Sequence, residues 1–363
     1  MAIIKKILTL SLSVIILAGC GLFYKKSLKE KLPSDIDLTN TIIFEADTNS
    51  NELYDPQIFA VKVDSPHTLY QLTNTRYPLS DPVWLPDGSG IMFLSRRFDT
   101  YKDNYIGWAD DPEIYIIDTV GTRRIVKCWY NLPKKEREKY DYILNGYIRN
   151  KPIFTSDKVL YNVMGNRLII QDTVTSEVSL RYIDRNPLGL SKFGEFVLSP
   201  DEQKLAFVSR DKEEEFPWPD PHSVDITDFQ LSLEEISIMN IEGTGYKRLT
   251  NNKVPDDHPC WSKDGKSIYF DRVPNWEFED EENSHRDIFV MNSDGTNQRN
   301  LTDSPTTDDH SPECSPDGKY IAYVSSREEE YTEIWIMNTN GSDRHRILKL
   351  HSFGIGALSW SPK

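Results

Sequence analysis

The chain has 363 residues with 57 acidic against 42 basic side chains, and the resulting formal net charge of −15 excludes the basic face that nucleic-acid binding requires, while admitting cationic partners. After residue 23 no stretch approaches the roughly eighteen continuous apolar residues of a membrane helix, so the body is read as a soluble unit. On length alone that body could be two domains, but internal repeats decide for one.

Met1 to Cys20 carries Lys5-Lys6, an apolar run from Ile7 to Leu17, and then Leu17-Ala-Gly-Cys20, the layout of a targeting segment. It resembles the bacterial lipoprotein signal, which implies removal of residues 1–19 and lipidation of Cys20. Acyl chains on Cys20 would hold a soluble domain on a membrane surface, since each buried methylene adds roughly 0.8 kcal/mol. Gly21 is not the Asp that retains such proteins in the inner membrane, so the resemblance implies the periplasmic side of the outer membrane in a Gram-negative host and the extracellular face of the cell membrane otherwise. Residues 20–40 then form the lipidated Cys and a Lys-bearing tether.

From residue 41 onward a turn recurs: Trp84-Leu-Pro-Asp-Gly88, Phe154-Thr-Ser-Asp157, Leu198-Ser-Pro-Asp201, Trp261-Ser-Lys-Asp-Gly265, Cys314-Ser-Pro-Asp-Gly318 and Trp360-Ser-Pro-Lys363. Pro sets φ, Asp caps the turn through its side chain and Gly takes the positive φ. Each copy except the last is followed by a β-branched and aromatic run, as at Ile268 to Arg272 and Ile321 to Ser325, and then by a second run such as Glu235-Ile-Ser-Ile-Met-Asn240, Asp287-Ile-Phe-Val-Met-Asn292 or Glu333-Ile-Trp-Ile-Met-Asn338. A short outer strand ends each late unit near Leu249-Thr250, Leu301-Thr302 or Ile347-Leu348. Four antiparallel strands at a period of about 40 to 50 residues are the signature of propeller blades. The expectation is an all-β, six-bladed propeller over residues 41–363, its ring closed by pairing of the strand at Trp360 with Thr41 to Glu45.

Besides Cys20, the cysteines are Cys128, Cys260 and Cys314, too few for a disulfide framework. Cys260 and Cys314 fall on first strands of adjacent units, where a single bridge is open but two buried thiols are favoured. Insertions gather between the second and third strands of the units, on one face of the expected ring. There Glu213 to Glu215 and Phe216-Pro-Trp218 occupy one loop, and Trp276 with Glu279, Asp280, Glu281 and Glu282 the next. Aromatic anchors inside like charge suit a basic partner, although charge runs also serve simply as solvated loops.

Asp256-Asp257-His258-Pro259 and Asp308-Asp309-His310-Ser311 occupy equivalent connections, and carboxylates beside imidazoles are ligands for a divalent metal. A metal at Asp257, His258, Asp309 and His310 is therefore one expectation and the only cofactor the residues raise. Against it, the two His are one place out of register relative to Pro259 and Pro312, and such turns also cap strand entries. No Gly-x-Ser-x-Gly elbow and no phosphate-cradling Gly-rich loop occurs.

Ser315-Pro-Asp-Gly-Lys-Tyr-Ile-Ala-Tyr-Val-Ser-Ser326 with Glu333-Ile-Trp-Ile-Met-Asn338, and Asp287-Ile-Phe-Val-Met-Asn-Ser-Asp-Gly-Thr296 with Leu301-Thr302, resemble the repeats of the TolB-type propeller family. The resemblance spans about residues 41–363 and is strongest after 195. It implies the fold but several functions, since similar repeats occur in TolB itself, in oligopeptidase propellers and in oligogalacturonate lyases. Of these, a non-catalytic envelope scaffold that binds a protein or glycan through one propeller face fits the residues better than a lyase with a metal near His258 and His310.

Overall fold

Three Ser-x-Asp turns show how the repeat folds locally. The hydroxyls of Ser199, Ser262 and Ser315 donate to Asp201, Asp264 and Asp317 at 2.6, 2.7 and 2.7 Å. Each also accepts the backbone N–H five residues on, from Lys204, Ser267 or Tyr320, at 2.9 Å. Gly265 and Gly318 follow with φ of +68° and +76°, a conformation that costs other residues about 1 kcal/mol or more, and donate back to Ser262 and Ser315 at 2.9 Å. The turn thus closes on its own side chains and sends two strands out antiparallel.

The computed structural model describes residues 37–48, 56–75, 78–95, 196–210, 234–252, 254–274, 285–328, 331–352 and 354–362, together with the backbone of the strands between residues 113 and 182. Their pairing gives four-stranded antiparallel sheets. The first joins Ser359–Trp360, Thr41–Ala46, Gln57–Lys62 and Leu69–Gln71. The second runs Leu79–Trp84, Gly90–Ser95, Glu113–Asp118, Arg123–Ile125, and the third Ile153–Phe154, Lys158–Val163, Arg167–Asp172, Val178–Tyr182. The fourth runs Val197–Leu198, Lys204–Arg210, Glu234–Asn240, Lys247–Arg248. The fifth is Asp256–Trp261, Ser267–Arg272, Asp287–Asn292, Arg299–Asn300, and the sixth Asp308–Cys314, Tyr320–Glu328, Tyr331–Asn338, His345–His351. The architecture is an all-β propeller.

Alternation along the second strands explains how the sheets stack, because successive side chains point to opposite faces. In the fifth sheet Ile268 and Phe270 pack on Ala206, Val208 and Ile238 of the fourth, while Tyr269 packs with Ile321 and Tyr323 of the sixth. The sixth sheet presents Ala322 and Val324 to Ile42 and Phe44 of the first, whose Ile43 meets Ile91 and Phe93 of the second. Both faces are therefore dry, which is why these strands read as nearly unbroken apolar runs. Phe44, Phe207, Phe270 and Tyr323 hold the same position in their strands and are fully buried. Each such ring contributes up to about 4–6 kcal/mol at roughly 25 cal/mol per Å².

The two ends of the described chain share the first sheet. Trp360 pairs with Ile42 and Ser359 with Ile43. The Thr41 N–H donates to Ser361 Oγ at 3.0 Å, and the Ser361 N–H to the Thr41 carbonyl at 2.8 Å. Trp360 Nε1 also donates to the Glu313 carbonyl of the sixth sheet at 3.1 Å. Pairing between Trp360 and the strand at Thr41 is thus present as expected, although 318 positions separate Ile42 from Trp360 along the chain.

The thiol expectation is overturned. Cys260 and Cys314 form a disulfide, with Cα atoms 6.1 Å apart, that ties the inner strands of the fifth and sixth sheets. Neighbouring inner strands converge toward the axis of a propeller, which is what brings two side chains of different sheets within bridging distance.

Candidate functional site

Three of the inner strands break their ladders at the same place. Register shifts fall between Ser80 and Val83, Asp257 and Cys260, and His310 and Glu313, and in each the residue before Pro has a positive φ: Asp81 +54°, His258 +48°, Ser311 +52°. Proline cannot donate to the ladder, so the strand bulges there and re-aims the preceding side chain. His258 and Ser311 consequently line a cleft of about 110 Å³ with Pro312, Glu313, Gly356, Ala357 and Leu358, drawn from the fifth, sixth and first sheets.

Behind this cleft sits Asp271, 1% exposed, on the second strand of the fifth sheet. Its Oδ2 accepts from His258 Nδ1 at 2.7 Å and from the Ser311 N–H of the next sheet at 2.8 Å, while Arg286 Nε lies 3.7 Å from Oδ1. Burial alone would raise this carboxyl, but the His258 imidazole, Arg286 and His310 outweigh it and hold Asp271 below the usual carboxylate range. Asp271 is therefore ionised, and His258 Nδ1 carries the proton toward it. Arg286 in turn donates its backbone N–H to Asp308 Oδ1 at 2.9 Å and accepts the Asp309 N–H on its carbonyl at 2.9 Å. The same device recurs at the joint of the first and second sheets, where the Asp81 N–H donates to Glu45 Oε2. A Cβ at Gly356 would collide with that Glu45 carboxylate, so a larger residue there would displace the Glu45 side chain.

Of the four expected metal ligands, Asp257, His258 and His310 are neighbours without converging on one point, and Asp309 turns away. His258 and His310 rings lie 6.5 Å apart, Asp257 Oδ2 is 3.8 Å from His258 Nδ1, and His310 Nδ1 is 3.0 Å from Ser311 Oγ. Burial, with Asp271 and Glu234, pushes Asp257 up to about 6 against the pull of His258. Burial likewise lowers His310, helped by His258 and Arg286 and opposed by Asp308 and Asp271, which leaves a neutral imidazole at pH 7. Asp309 instead faces into the sheet and accepts from Ser325 Oγ at 2.5 Å. Among the described residues no three His, Cys, Asp or Glu converge as a metal-binding group. Cys20, Phe216, Trp218, Trp276, Glu279, Asp280, Glu281 and Glu282 lie outside the described residues.

Asp309 carries a pH prediction. It is 1% exposed, its Oδ2 has no partner within hydrogen-bonding distance, and burial pushes it up to about 6 despite Ser325 and Arg327. Its folded value thus lies above its unfolded one, so the fold holds an extra proton between about pH 4 and 6 and loses stability as pH rises through that window. Asp309→Asn should stabilise the protein by about 1–3 kcal/mol at pH 8 and by almost nothing at pH 4, measured by urea unfolding. An equal effect at both pH values would show that the charge is not responsible.

The remaining buried acids are structural latches that the sequence did not reveal. Where the third strand begins in the first, fourth and fifth sheets, a Thr after the outer strand accepts its N–H, and in the first and fifth it also bonds the side chain there. Thr250, Thr302 and Thr73 hydroxyls accept from the N–H of Ile236, Ile288 and Ile58 at 2.9, 3.0 and 2.8 Å. Asp287 and Gln57 accept from those hydroxyls at 2.8 and 3.1 Å. Glu235 and Glu333 meet Arg248 at 2.8 Å and Arg346 at 2.6 Å. The Leu-Thr ending that recurs along the chain is the visible half of this latch, and Gln57, Glu235 or Asp287 near the start of the third strand is the other.

No family model matches the chain. An uncharacterized protein of Agrobacterium fabrum is 32% identical over 103 residues, which cover 28% of this chain and 32% of that protein, so the chain spans about a third of the length of this curated relative. TolB from Acinetobacter baumannii superposes with a TM-score of 0.60 at 20% identity, over 90% of this chain and 68% of that one. What is shared is the propeller fold. Oligogalacturonate lyase from Vibrio parahaemolyticus superposes with a TM-score of 0.50 at 15% identity, over 86% of this chain and 74% of that one. At these identities the likeness speaks for architecture alone.

Proposed function

We propose that the chain is a cell-envelope lipoprotein, acylated at Cys20, whose six sheets close into one six-bladed ring that serves as a binding scaffold for a protein or glycan partner. The observation that carries this reading is the use made of ionisable groups at the cleft. Asp271, Arg286 and His258 are spent on joining the fifth sheet to the sixth, which makes a rigid wall rather than a poised acid and base. A disulfide between the same sheets suits an oxidising compartment such as the envelope. The binding face in this reading carries Phe216, Trp218 and Trp276 ringed by Glu279 to Glu282, and the partner is basic.

The test is site-specific photocrosslinking in intact cells. A partner captured from positions 218 and 276 but not from 264 and 317 on the opposite hairpins supports the reading; capture only from 264 and 317 sinks it. In the same strain Cys20→Ala should move the protein from the membrane to the soluble fraction, and persistence in the membrane would show the anchor to be elsewhere.

A second reading, a polysaccharide lyase with a divalent metal near His258 and His310, is favoured by the 6.5 Å approach of the two rings beside Asp257. Stoichiometric metal in the purified protein, lost in His258→Ala together with turnover of oligogalacturonides, would establish it over the scaffold.

A further inference from the structure

Outer strands of propeller sheets are usually short, because a long unpaired edge is a template for another chain. In the first five sheets they are 3, 3, 5, 2 and 2 residues long, Leu69–Gln71, Arg123–Ile125, Val178–Tyr182, Lys247–Arg248 and Arg299–Asn300. The sixth sheet departs from this pattern. Its outer strand His345–His351 has 7 residues and is paired on its inner side from His345 with Ile336 to His351 with Tyr331. Among the described residues no strand lies on its outer side.

This edge is held rigid and carries a charge opposite to that of the chain. Ile347 anchors it in the core. Tyr331 is flanked by Lys349, whose Nζ stands 4.3 Å from the ring centre, and by the His351 ring edge-on at 5.4 Å. Arg346 Nη1 meets Glu333 Oε1 at 2.6 Å, which fixes the middle of the strand. The strand reads His-Arg-Ile-Leu-Lys-Leu-His, with no acid, in a protein of net charge −15.

We propose that the edge His345–His351 is a docking site for an extended acidic peptide segment of a partner protein, which adds to the sixth sheet as a fifth strand. Backbone pairing supplies the affinity in this mode and the side chains supply the choice of partner. A second copy of the chain is disfavoured, because two such edges would set basic residues opposite one another. The charged residues that protect the edge against self-association are the ones that admit an acidic strand. The surface is the outer edge of the sixth sheet.

The experiment uses the purified soluble body and a labelled ten-residue peptide of alternating Glu with Val or Thr, followed by fluorescence anisotropy and by hydrogen exchange. Binding should protect amides within 345–351. It should weaken at least tenfold in Lys349→Glu, in His345→Glu, and with the peptide N-methylated at the alternate residues that face the edge, while both variants keep the wild-type melting temperature. One of the two alternate sets of N-methyl groups should produce this loss; neither set doing so would reduce the effect to charge alone and overturn strand addition. Protection confined to other segments, absence of binding at 1 mM peptide, or a concentration-dependent dimer abolished by Lys349→Glu would overturn it as well.

Discussion

Reduction of the Cys260–Cys314 bridge, or its removal in a Cys260→Ala/Cys314→Ala double variant, is expected to lower the stability of the protein by about 2–4 kcal/mol. The two cysteines are 54 positions apart, and cross-linking a loop of that length removes denatured-state entropy worth about 4 kcal/mol at 25 °C on the chain-entropy account. Loss of packing around Cys260, which is 4% exposed, works in the same direction. For a body of this size the melting temperature should fall by roughly 3–6 °C. Circular dichroism melts with and without dithiothreitol read the effect, and thiol titration of the denatured protein counts the bridge directly. Identical melts under both conditions would mean that the thiols are not joined. The bridge also sets where a broken protein fails first, since without it the fifth and sixth sheets are held by Asp271, by Arg286 and by packing of Tyr269 on Tyr323.

The repeat made the architecture legible because turn chemistry is local. Ser315-Pro-Asp-Gly318 can be recognised from four residues, and the strand that follows it, expected at Ile321 to Ser325, is observed at Tyr320–Glu328. Pairing of Trp360 with Ile42 was legible for a different reason: a turn with no strand after it at one end of the chain, and a strand with no turn before it at the other. Side-chain chemistry was less accessible. Asp257, His258 and His310 are neighbours, but the residue that joins them, Asp271, is hidden in Ser267-Ile-Tyr-Phe-Asp-Arg272, where an acid after three buried residues looks like the polar end of a strand. One of its partners, the Ser311 N–H, comes from the next sheet, and no spacing along the chain encodes that contact. Asp309 stands beside His310 in sequence, yet strand alternation sends their side chains to opposite faces, which is why a ligand set built on adjacency included it. The thiols were misjudged because burial of two cysteines is common, whereas their convergence at the axis is a property of the assembled ring.

Asp271→Asn is expected to cost about 3 kcal/mol at neutral pH. Removing one member of a buried charge cluster leaves the others uncompensated, an effect of about 3–5 kcal/mol, and the amide oxygen that still accepts the Ser311 N–H places this variant at the lower end. Arg286 is the group left exposed to the loss, since Asp271 stands first among the acids that support its charge against burial. The pH dependence separates this from a packing defect. Because Asp271 is held below its unfolded value, its contribution is present above the unfolded carboxylate value near 4 and disappears as pH falls through the folded one. Wild type and Asp271→Asn should therefore differ most at pH 6–8 and draw together progressively as pH falls below about 4, in urea unfolding followed by tryptophan fluorescence. Asp309→Asn shifts the neutral limb the other way, so the two variants bracket the wild-type curve at pH 7, one below and one above. Since the cluster and the disulfide join the same pair of sheets, combining Asp271→Asn with loss of the bridge should be non-additive by about 0.5–3 kcal/mol. Strict additivity would mean that the carboxylate stabilises the fifth sheet alone and not its joint with the sixth.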